Sequence, residues 1–160
     1  MKSKIIVLKF TYFLKAFHFS LILVIFNISF NYLTLKFSES KVTYKHNFDS
    51  INSEFIMVVF IAPIIETIIF QYLIINQVYI SYNGKKNKIT AIIISSITFG
   101  LIHLYNLNYF IVGTIIGILL ASSFYYFKEK TNNFTAIFYV FLIHSLSNLY
   151  VFLIKILNLL

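Results

Sequence analysis

Among the polar residues inside the apolar stretches of this 160-residue chain, four are of types and spacing that could do chemistry: Glu66, His103, His144 and Asn148. Glu66 lies deep in Val58-Val59-Phe60-Ile61-Ala62-Pro63-Ile64-Ile65-Glu66, whereas the other four acids fall in loops or at the ends of apolar runs. An ionisable group at membrane depth costs about 2.5–3.5 kcal/mol on insertion scales and by default marks a functional site. A carboxylate there can take a proton from water as a general base, hold a metal ion, or pass protons across the membrane. The plainer reading is a protonated Glu bonded to a neighbouring helix. His103 closes Phe99-Gly100-Leu101-Ile102-His103, so Phe99 and His103 share a helical face, and His144 and Asn148 are likewise four apart. A lone His in an apolar segment is more often a packing residue than a ligand. Two of them, with a Glu and an Asn on three separate stretches, shift that balance, because each would otherwise need its own partner in lipid. His18 and His46 lie near a Lys cluster and in a loop, and take no role.

The elements that must position these groups are helices crossing a bilayer. Hydrophobic residues make up 59% of the chain and charged ones 11%, with a mean hydropathy of +0.85, against roughly 45–50% and about 25% in a soluble domain. A hydrocarbon core of about 30 Å needs about 20 apolar helical residues. Such runs occur at 17–35, 55–80, 89–104, 109–127 and 134–160, the third being short. An all-α, polytopic transmembrane bundle of about five spans follows, as a single membrane domain over residues 1–160. The third span fits best if buried among the others or joined to the fourth by a tight turn at residues 106–108. A β-barrel would alternate apolar and polar residues, and Ile92-Ile93-Ile94 does not. The first run exceeds the ~7–15 apolar residues of a signal peptide and reads as a retained anchor. Tyr82-Asn83-Gly84-Lys85 is the one obvious turn signal.

The formal charge of +8 comes from Lys between the apolar runs, not from a basic stripe with interleaved aromatics, which excludes nucleic acid as a partner. With five spans, the N-terminus and the 81–88 and 128–133 loops share a side and carry four, three and two Lys, nine in all, against four on the other side. The positive-inside rule then puts the N-terminus in the cytoplasm and the C-terminus outside, and the expected location is the plasma membrane. With no Cys, thiolate metal sites are unavailable, and any metal must be held by His, carboxylate or carbonyl groups. Glu66 and His144 each sit about 15 Å from a span end at ~1.5 Å rise per residue, so both lie near mid-membrane and can meet. His103 would lie nearer the outer side unless its helix is displaced.

An apolar-Pro-x-x-Glu run, then Phe-x-x-x-His, then His-x-x-x-Asn, in this order on successive helices, resembles the CPBP family, the CAAX protease and bacteriocin-processing (Abi) group of intramembrane proteases. The resemblance covers residues 55–148. Glu66 matches the first Glu of the family's EExxxR motif, His103 the His of its FxxxH motif, and His144 and Asn148 its last motif. Thr67 and Gln71 depart from the second Glu and the Arg of the first. Those two family residues are four apart and can pair across a helical turn, so losing both charges together keeps the site balanced. Thr67 and Gln71 can still hydrogen-bond at that spacing.

The resemblance implies an endopeptidase acting on a peptide or membrane-protein substrate among membrane lipids. Glu66 would be the base, His103 would help hold the water, and His144 with Asn148 would stabilise the oxyanion or hold the leaving group. Glu66, His103 and His144 could alternatively bind Zn²⁺, the metalloprotease version of the same chemistry. Two other classes stand beside it: a catalytically silent bacteriocin-immunity or binding protein, which the Thr67 and Gln71 departures favour, and a small ion or proton carrier.

Overall fold

The computed structural model describes residues 2–37, 48–81 and 87–157, with side chains for 10–30, 48–81 and 87–157, and these residues form helices without strands. Five helices follow one another: α1 (Lys2–Phe37), α2 (Ile51–Ser81), α3 (Lys88–Ile102), α4 (Leu107–Lys130) and α5 (Asn133–Ile156). The protein is an all-α membrane bundle. Four helices are long and apolar enough to cross a bilayer: α1 over Phe10–Phe30, and α2, α4 and α5 over their lengths. With 15 residues, α3 rises only about 22 Å. The five expected spans are thus four full-length helices and one short one. The turn at Asn83-Gly84 falls outside the described residues.

The same device starts three of the helices, a side-chain oxygen that accepts one of the N–H groups a helix leaves unbonded at its beginning. Ser50 Oγ accepts from Ser53 N at 3.1 Å, Asn106 Oδ1 from Tyr109 N at 3.0 Å and Asn132 Oδ1 from Thr135 N at 2.9 Å. The short connections at 103–106 and 131–132 make α3, α4 and α5 successive antiparallel neighbours. One end of the bundle gathers Tyr12, whose hydroxyl donates to Lys130 O at 3.3 Å, and the Lys88–Glu129 pair at 3.5 Å. At the other end Lys155 pairs with Glu54.

Lipid offers helices no hydrophobic reason to associate, so small residues that allow close packing hold membrane helices together. Gly113 and Gly117 of α4 do this against α3. A Cβ on Gly117 would come 2.9 Å from Ser96 Cα, and one on Gly113 would come 3.1 Å from His103 Cβ. Phe99, Leu120, Phe124, Phe127, Val140 and Ile143 fill the interior. Apolar side chains such as Ile64, Ile68, Ile93 and Ile97 remain exposed, the side that lipid covers. A tight turn does join the third and fourth runs, but at 103–106 and not at 106–108, because Asn106 caps a helix that begins at Leu107; α3 is not enclosed, since one face bearing Ile89, Ile93 and Leu101 is open.

Helix α2 is irregular on either side of the segment that ends at Glu66. Met57–Ile61 and Thr67–Ile74 are wide turns with i→i+5 hydrogen bonding, and between them Ala62–Glu66 is ordinary α-helix with Pro63 near its start. Single wide turns of this kind are rare and often occur at functional sites.

Candidate active site

Glu66 ends the α-helical piece of α2 between the two wide turns. His144 lies mid-way along α5 and is almost fully buried. Glu66 Oε2 and His144 Nε2 approach to 3.6 Å, and the carboxylate side chain keeps 18% of its surface open against 5% for the imidazole. The two groups placed at mid-membrane by counting residues therefore do meet. At 3.6 Å the pair is longer than a hydrogen bond, which leaves both groups free to bond a third molecule.

His103 sits in the turn that follows α3, where its N–H bonds Gly100 O at 3.0 Å. Its Nδ1 is 2.8 Å from Phe99 O. With the proton on Nδ1 that contact is a hydrogen bond to the carbonyl, and Nε2 is left as an acceptor. The Phe99 ring lies against both imidazoles, with centroids 4.7 Å from His103 and 5.7 Å from His144. The shortness of α3 explains how His103 comes here: its turn packs beside Gly113, inside α4 and not at its end.

Asn148, one turn beyond His144 on α5, also faces α2. Its Nδ2 donates to Val58 O at 3.0 Å. One histidine and one asparagine four residues apart thus engage the same helix at two levels.

Thr67 and Gln71 are both fully buried. The hydrogen bond that their spacing allows is not made: Thr67 Oγ1 and both amide atoms of Gln71 have no hydrogen-bond partner among the described residues, nor do His144 Nδ1 and Ser145 Oγ. In a wide turn the residue four ahead is nearly in register, but these side chains do not bond there. Three polar ties lay beyond the sequence reading. Ser95 Oγ donates to Phe70 O at 2.9 Å, Asn27 Nδ2 donates to Ser147 Oγ at 3.0 Å, and Lys128 bonds Asn76. Ser95 and Ser147 stand in apolar runs and carried that much signal; their partners did not.

As for a metal, no group of three His, Asp or Glu side chains gathers closely enough to hold an ion among the described residues. Glu66 and His144 converge, but His103 does not complete a ligand set with them, so the Zn²⁺ arrangement does not fit this geometry. The arrangement does suit water activation, with a partly open carboxylate, a buried imidazole within 3.6 Å and a second imidazole oriented by a backbone carbonyl.

No curated protein and no solved structure gives a match. Residues 50–150, well over half of the chain and all of the site, match the family described as "Type II CAAX prenyl endopeptidase Rce1-like". The chain is therefore an integral membrane protein that belongs to the Rce1-like family of CAAX-type intramembrane endopeptidases, within the CPBP group.

Proposed function

We propose that the protein is an intramembrane endopeptidase in which Glu66 activates water, a reading carried by the approach of Glu66 to His144 between two membrane-spanning helices. Glu66 takes a proton from a water molecule, and the water oxygen forms a bond to the scissile carbonyl carbon. His103, with Nδ1–H on Phe99 O, offers Nε2 to the water's other proton and orients it. His144 donates to the oxyanion as it forms. Glu66 then returns the proton to the amide nitrogen, the C–N bond breaks, and a carboxylic acid and an amine leave, the acid's proton passing to the amine. A positioned base supplies typically 10²–10⁴-fold and one oxyanion donor about 10²–10³-fold. The resemblance gives Asn148 a share in the oxyanion site; one N–H of its amide is given to Val58 O, and a positioning part is argued below.

The family description makes a prenylated peptide ending in Cys-aliphatic-aliphatic-X the first substrate to test. The protein purified in detergent should cleave an internally quenched farnesylated peptide of this kind. Folded wild-type protein that leaves the peptide and a panel of leader peptides uncut would favour the catalytically silent reading, which the unpartnered Thr67 and Gln71 support.

The proposed site of action is the plasma membrane, with the N-terminus in the cytoplasm. Supporting this, the end of the bundle that carries Tyr12, Lys88 and Lys130 is the one next to the Lys-rich segments, whereas Lys155 at the other end is paired with Glu54. Alkaline phosphatase fused within the 81–88 loop should be inactive; activity there would reverse the orientation.

A further inference from the structure

Proline has no N–H, and the wide turn before Pro63 concentrates that loss on one atom. Ala62 N–H bonds Met57 O, five residues back. The next bond of the same pitch would run from residue 63 to Val58 O, and Pro63 cannot make it. Val58 O is left without a donor from its own helix, inside an apolar span where no water replaces one. Asn148 Nδ2 donates to that oxygen at 3.0 Å.

We infer that Asn148 is a positioning residue whose amide closes the hydrogen-bond gap that Pro63 opens in α2, and so fixes the helical phase in which Glu66 faces His144. A wide turn holds one residue more than an α-turn, and each residue is worth about 100° of rotation. Relaxing 57–61 to ordinary pitch would swing Glu66 by about that angle away from α5. Asn148 locks the turn from the same face of α5 that presents His144 to Glu66, so one helix sets both partners. The second wide turn has a parallel. Ile75 N–H, which could reach Phe70 O at the wide pitch, bonds Tyr72 O instead, and Phe70 O accepts from Ser95. The catalytic consequence of Asn148 rests on the endopeptidase reading, whereas the hydrogen-bond gap does not.

A double-mutant cycle in the full chain in detergent tests it, with Asn148→Ala, Pro63→Ala and both together. Residues 58 and 59 are the chain's one Val-Val pair, so ¹³C′,¹⁵N-valine labelling yields a single carbonyl-to-amide cross-peak that reports Val58 O. Asn148→Ala should shift this carbonyl upfield and lower the thermal midpoint. In the double variant residue 63 regains an N–H, and both quantities should return toward wild type. For cleavage of the farnesylated peptide, Asn148→Ala should lower kcat about tenfold with little change in KM, and Pro63→Ala should restore it. An oxyanion donor would show no such rescue.

An unmoved Val58 signal, or strictly additive effects of the two changes, overturns the proposal. If Asn148→Ala alone gives no folded protein, recovery of yield in the double variant supports it and continued failure overturns it. If wild type cleaves nothing, the endopeptidase reading fails by itself, and the carbonyl shift and thermal cycle still decide the role of Asn148.

Discussion

The two wide turns of α2 differ in how their polar groups end up. At Met57–Ile61 the carbonyl orphaned beside Pro63 is met by Asn148, and the helix then delivers Glu66 to His144. At Thr67–Ile74 the Phe70 carbonyl is met by Ser95, yet Thr67 Oγ1 and the whole Gln71 amide lack partners among the described residues, although both residues are fully buried. Each unmet polar group costs about 1–3 kcal/mol in such surroundings. The first turn is a completed device. The second holds two buried polar side chains for which the described residues around them supply no partner.

The largest expected effect sharpens the first half of this comparison. Glu66→Gln keeps shape and removes the base, so cleavage should fall by about 10³-fold or more, roughly 4 kcal/mol of transition-state stabilisation. His144→Ala should fall comparably and not add to it, because the two groups act as one unit. Steady-state cleavage by variants whose helicity and insertion match wild type checks both. Retained activity in Glu66→Gln would remove the carboxylate from the mechanism.

Next comes the second turn. Gln71→Arg buries a cation with no carboxylate beside it, at about 3 kcal/mol, and inserted yield should drop sharply. Thr67→Glu alone sets a second carboxylate next to Glu66 and should blunt cleavage. Made together, the two changes restore an opposite-charge pair four residues apart, and yield and cleavage should exceed what the singles predict. Purely additive effects would mean that positions 67 and 71 do not serve each other, and that the pair was not exchanged as a unit.

A smaller effect probes what the turns have in common. Ser95→Ala leaves Phe70 O without its donor and should cost about 1–2 kcal/mol, read as a lower thermal midpoint in detergent. The smallest has the opposite sign. Gln71→Leu removes two unpartnered polar atoms and should stabilise by about 1 kcal/mol, whereas Asn148→Leu, which breaks a made bond, should destabilise. A loss on Gln71→Leu would show that Gln71 is satisfied by something the bundle encloses, such as water, and would erase the contrast between the turns.

What the sequence by itself determined is the material and its approximate depth. Uninterrupted apolar runs force helices, because backbone groups in hydrocarbon must bond within their own segment. Residue counting put Glu66 and His144 at one level, and the i,i+4 spacing put Asn148 on the face of His144. The shortness of the third run was visible too, but its consequence was not, since only the packing of α3 against Gly113 draws the His103 turn into the bundle. The wide turns of α2 were likewise hidden. Helical pitch in a membrane depends on whether a freed carbonyl finds another donor, and for Val58 that donor lies 90 residues along the chain. Local pattern assumes one pitch throughout. Tertiary structure chose between pitches, and thereby decided which way Glu66 faces.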